Sequence, residues 1–146
     1  LKQAYREVSD AGRNVLLWGA IPCTGGTQLV QVNLSVAQKT GNMFTIEKIE
    51  GHLSDFKLFW KNFVKVAKLV RKQGGRIAIE WPRRCSYWRR PEVQQFLEDF
   101  GLKRVRFDGC AVGLVDEGGN PILKPWSLAT DDQELLSTFA ELRCKW

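Results

Sequence analysis

Two side chains in this sequence are suited, by type and position, to covalent chemistry on a heterocycle. Cys23 follows Pro22 at the end of an apolar run, with Thr24, Gly25 and Gly26 behind it. Glu80 stands before Trp81 and Pro82 at the end of a second apolar run. A thiolate can add to an electron-poor ring while a carboxyl group protonates or hydrogen-bonds a ring nitrogen. Read alone, Cys23 is more simply a small hydrophobe in a turn. Just after Glu80, Arg83, Arg84, Arg89 and Arg90 surround Cys85, Tyr87 and Trp88. Arginines hold phosphates and aromatic rings stack on bases, so this cluster suits nucleic acid. The alternative is a surface loop whose aromatics pack on the domain.

Joint action of Cys23 and Glu80 requires two strand ends side by side. Residues 14–20 include Val15, Leu16, Leu17 and Trp18, a run that reads as a central strand covered on both faces and stopped by Pro22. Residues 76–80 (RIAIE) read as a second buried strand, again stopped by a proline. Neighbouring parallel strands would put both ends on one edge of the sheet, where open α/β sheets bind ligands. Residues 53–73 supply the crossover helix. Leu53, Phe56, Trp60, Phe63, Ala67 and Val70 recur there at steps of three and four. Ser54 or His52 is placed to cap its start, and Gly74 and Gly75 end it. Its opposite face carries Lys57, Lys61, Lys65, Lys68 and Lys72 on one stripe. That stripe is either a solvated face or a ridge turned toward phosphates.

The remaining elements follow from pattern. Residues 1–12 suggest a short helix ending at Gly12. Residues 27–48 show no clear period and read as a long, mobile insertion covering a site. Pro91 opens a helix over 91–100, residues 103–107 form a third strand, and 112–115 with 122–124 flank a hairpin-type loop. A last strand over 126–130 and a helix over 131–142 close the chain. Alternating strands and helices imply an α/β fold with a mostly parallel sheet and a C-terminal antiparallel hairpin.

At 146 residues the chain suits a single α/β domain over 1–146. No apolar run reaches the roughly 18–20 residues that span a bilayer, so no membrane partner is expected. The net charge of +6 favours anionic partners, DNA first. Cys23, Cys85, Cys110 and Cys144 form no C-x-x-C pair, and His52 is the one histidine, so no metal site is expected. The wide cysteine spacing does not suggest a disulfide framework and points to a reducing, intracellular compartment, cytoplasm or nucleus.

Over roughly residues 14–131 the chain resembles the cytosine-5 DNA methyltransferases. Ile21-Pro22-Cys23-Thr24 looks like the Pro-Cys turn that carries that family's nucleophile. Ile79-Glu80-Trp81-Pro82 looks like its Glu-Asn motif, with Trp81 in the place of Asn. Residues 107–114 (FDGCAVGL), followed by Lys124-Pro125-Trp126, resemble the C-terminal part of compact, phage-like members, with Val112 where Tyr is usual. The resemblance implies the second half of a partial Rossmann-like methyltransferase fold. It implies methyl transfer from S-adenosylmethionine to a flipped cytosine in DNA, with Cys23 and Glu80 catalytic. Pro22, Thr24, Arg83, Arg84, Trp88, Arg89 and Arg90 would bind the substrate. The glycine loop that holds the cofactor has no counterpart here, so an upstream half would supply it. The other reading is a nucleic-acid-binding module without catalysis, from a mobile element or a degenerate relative.

Overall fold

The structure, a computed structural model, describes residues 1–144. It is α/β, with a four-stranded mixed sheet and helices on both faces. Helix α1 (Lys2–Ala11) leads through Gly12 into strand β1 (Leu16–Gly19). Helices α2 (Gln28–Thr40) and α3 (Met43–Lys72) follow, then strand β2 (Arg76–Pro82). Helix α4 (Pro91–Asp99), strand β3 (Lys103–Asp108), strand β4 (Pro125–Thr130) and helix α5 (Gln133–Glu141) complete the chain.

The strand order is β1-β2-β4-β3. β1 and β2 are parallel neighbours, with Gly19 beside Ile79. β4 runs antiparallel between β2 and β3, so one of the three pairings is parallel and the expected mostly parallel sheet is corrected to a mixed one. The residues flanking Asp116–Asn120 do not form hairpin strands; a single bridge joins Val115 to Pro121. Asp116 organises that loop by accepting from the backbone N–H groups of Gly118 and Asn120.

Alternation along β2 sorts the core. Ile77, Ile79 and Trp81 face α1, α3 and α4, where they pack with Phe56, Trp60, Val70, Val93 and Phe96. Ala78 points to the other face, where Leu128, Phe107 and Phe139 gather beneath α5.

Two expectations fail for identifiable reasons. β1 is an edge strand, not a central one: Leu16 is 45% exposed and Trp18 40%. A run of apolar residues reads the same whether its outer edge is covered or open. The stretch 27–48 is not a mobile insertion but α2 and the start of α3. Thr27 caps α2 by accepting from Val30 N–H, Gly41 ends it in the left-handed region (φ 68°), and Asn42 caps α3 by accepting from Thr45 N–H. α3 therefore begins ten residues before the expected start, and neither His52 nor Ser54 is its cap. α2 turns Val30, Leu34 and Ala37 inward but leaves Leu29, Val32 and Val36 exposed, which blurs its period.

Candidate functional site

The turn that carries Cys23 is held by two close approaches. Trp81, on the α3 face, donates its indole N–H to the Ile21 carbonyl at 2.7 Å. The Trp residue at the Asn position of the resemblance is thus a latch between β2 and the turn. Beyond Cys23 a short 3₁₀ turn, Thr24–Gly26, presses against the segment after β2. A Cβ on Gly26 would lie 2.6 Å from the Cys85 sulfur, and one on Gly25 would lie 2.5 Å from the Tyr87 hydroxyl. Only glycine admits that contact. The same packing brings Cys23, half-buried, against the core and near Cys85.

Glu80 follows Ala78 on the opposite face of the sheet, opposite Leu128 in the ladder. Burial pushes its carboxyl above the ordinary range, and the Lys124 ammonium draws it part of the way back. The two strand ends are neighbours, as expected, but the side chains are not brought together. Cys23 packs on the α3 side and Glu80 points to the α5 side. No hydrogen bond among the described residues joins them. β1 ends at Gly19, three residues before Pro22, and Pro82 is itself the last residue of β2, so proline stops neither strand in the expected way.

The arginine cluster divides. Trp88 is buried, 2% exposed, with its indole N–H donated to the Pro82 carbonyl and its ring edge-on to Trp81. Tyr87 is buried against Phe56 at 3.9 Å between ring centroids. Neither aromatic can stack on a base, so the substrate-binding role expected of Trp88 is corrected to core packing. Arg90 is committed to Glu92 at 2.6 Å and lies over the Phe56 ring. Arg83, Arg84 and Arg89 take part in no ion pair among the described residues. Pro22 and Thr24 are exposed beside Cys23.

Those three arginines border two adjoining cavities of about 530 and 400 Å³ between the start of α2 and residues 82–89. The cavities share Gln28, Arg84 and Cys85. Gln31 and Arg89 line the first, Arg83 and Lys124 the second. No carboxylate lines either, and Cys23 and Glu80 line neither. Cys85 forms the shared floor at 4% exposure, and burial pushes its thiol up to about 11, so it stays protonated and unreactive at neutral pH. Gln28 and Gln31 escaped sequence reasoning because α2 itself did. Lys124 was visible only as part of a Lys-Pro pair.

The described residues do not fit S-adenosylmethionine. A cofactor cradle needs a strand, an open glycine loop, a helix and an acidic residue. The glycines after β1 are instead filled by Cys85 and Tyr87. The remaining cysteines, Cys110 and Cys144, are joined in a disulfide across 34 residues, with 6.1 Å between Cα atoms, which corrects the expectation of unpaired thiols. Among the described residues no cluster could hold a metal ion, and no helix is long and apolar enough to cross a membrane. Compared with known proteins, the chain matches no family model, no curated protein and no solved structure.

Proposed function

We propose that this chain binds nucleic acid through its phosphate backbone, at the cleft between the start of α2 and residues 82–89. One observation carries the reading: Arg83, Arg84, Arg89 and Lys124 border the cleft, and no acidic side chain lines it. Such a surface concentrates positive potential where a polyanion can displace counterions. The first turn of α2 adds the positive end of a helix dipole at the same mouth. With Tyr87 and Trp88 buried, the cleft offers no stacking platform, so affinity comes from phosphates and carries little sequence information. Replacing Arg84 and Arg89 together by Gln should flatten the slope of log affinity against log salt by about 1.5–2 for a DNA oligonucleotide. An unchanged slope defeats the reading.

Cytosine-5 chemistry at Cys23 is a second reading, favoured by the parallel adjacency of β1 and β2 and their shared carboxyl edge. It requires Glu80 to reach the α3 side and a cofactor half that these residues do not form. A DNA duplex carrying 5-fluorocytosine, offered with S-adenosylmethionine to this chain joined to a cofactor-binding half, tests it. A covalent adduct that Cys23→Ser abolishes supports this reading, and absence of an adduct removes it.

A further inference from the structure

The lysines of α3 are absorbed neither by the fold nor by the cleft. Lys57, Lys61, Lys65, Lys68 and Lys72 are all exposed, and none takes part in an ion pair among the described residues. Phe56, Trp60, Val66, Ala67 and Val70 of the same helix are buried, so the lysines point directly away from the sheet. At about 1.5 Å of rise per residue, the ridge extends about 22 Å in steps of about 6 Å. That step is close to the separation of successive phosphates along a nucleic-acid strand. A solvated helix face usually alternates charges in i, i+4 pairs; this one repeats a single sign at that spacing, which costs stability unless an anion answers it.

The ridge starts beside the cleft. Arg89 lines the cleft, and the next residue, Arg90, pairs with Glu92. Burial, the largest single influence, pushes the Glu92 carboxyl up, but the Arg90 hydrogen bond, a backbone bond and the charges of Arg90 and Lys57 together hold it below the usual range. Arg90 lies over the Phe56 ring at 5.3 Å and Tyr87 stacks on it at 3.9 Å, so Lys57, the next residue of α3, begins the ridge against the arginine turn. We propose that the α3 lysine ridge is a second phosphate track, which carries onward the nucleic-acid strand that enters the cleft at Arg84 and Arg89. The identity of the ligand rests on the nucleic-acid reading of the cleft. A membrane is the weaker occupant. An interfacial helix needs a broad apolar face to sink into lipid, and most of the apolar face of α3 is spent on the core, leaving Leu58 and Phe59 exposed near the lysines and Met43 and Phe44 at the far end of the helix.

The test uses two fluorescein-labelled DNA single strands, one short enough to fill only the cleft and one long enough to cover both surfaces. Wild type should show the steeper salt dependence with the long strand. Lys61→Gln, Lys65→Gln and Lys68→Gln combined should lower the long-strand slope by about 2 and leave the short-strand slope unchanged. These positions are exposed, so the melting transition should hold, and a retained transition certifies the comparison. An unchanged long-strand slope in the triple variant overturns the track. Loss of binding to phosphatidylserine vesicles with no change in DNA slope overturns it in favour of a membrane surface. If Arg84→Gln with Arg89→Gln changes nothing while the lysine variant lowers the slope, the cleft reading fails, the continuation from it is overturned, and the ridge is left as the phosphate-binding surface in its own right. If neither strand binds at low salt, both fail.

Discussion

On the α3 side of the sheet, Phe56, Trp60, Trp81, Tyr87 and Phe96 are all buried and interlock at centroid distances from 3.9 to 6.2 Å. On the α5 side, Phe107 is buried, while Phe139 is half-buried and leans against Trp18 at 6.2 Å. Both faces belong to the same strands, yet one is dry and aromatic and the other is a thin cover with an open margin. The thick face takes in the residues that sequence alone offers as chemistry, Trp88 and Tyr87 entirely and Cys23 in part. What remains for a ligand is the rim of cations around that face. The contrast teaches that a motif rich in reactive and stacking side chains can serve first as masonry.

The largest test of the contrast is to remove one ring from each face. Phe56→Ala should cost about 3–5 kcal/mol, because a fully buried ring leaves a cavity among rigid neighbours. Phe139→Ala should cost about 1–2 kcal/mol, in proportion to the smaller area it covers. Chemical denaturation reads both, and equal costs would erase the distinction between the faces. A smaller effect isolates the latch. Trp81→Phe keeps most of the ring volume but leaves the buried Ile21 carbonyl without its donor, for about 1–3 kcal/mol. It should also speed alkylation of Cys23 by loosening its turn, and a stability loss without faster alkylation would separate the indole from the turn. The smallest effect is on the thiols. Near the ordinary thiol pKa of 9.0, iodoacetamide should modify Cys23 in the native protein and spare Cys85, whose thiol burial holds at about 11. Because the native value is the higher one, the stability Cys85 contributes is full below 9.0 and is lost as pH rises through 11. Equal labelling of the two cysteines would show that the turn opens readily.

What could be read in advance follows the physics of each segment. The second half of α3 was legible because Phe56, Trp60, Ala67 and Val70 repeat at helical steps opposite a stripe of lysines. Pro91 and the Val93, Phe96, Leu97 set marked α4 to within one residue. α2 was hidden because its inward set, Val30, Leu34 and Ala37, is matched by an outward apolar set, and because its caps are single side chains whose role appears only in three dimensions. The parallel adjacency of β1 and β2 was legible from the helix between them. The facing of Cys23 and Glu80 was not, since it depends on how many residues separate the end of β1 from the turn. No pattern in the sequence marks β4 as the strand that inserts between β2 and β3.

The open margin of β1 has a practical consequence for handling the protein. Leu16, Leu17, Trp18 and Gly19 present an uncharged row of backbone donors and acceptors, without the lysine, proline or bulge that usually blunts such a border. In concentrated solution that row is a template on which a neighbouring chain can crystallise its own backbone, and the overall charge of +6 is the main colloidal barrier against it. Salt, which screens that charge, should therefore drive the chain toward precipitation, so the ionic strength that releases a bound polyanion is also the one at which the purified protein is least soluble.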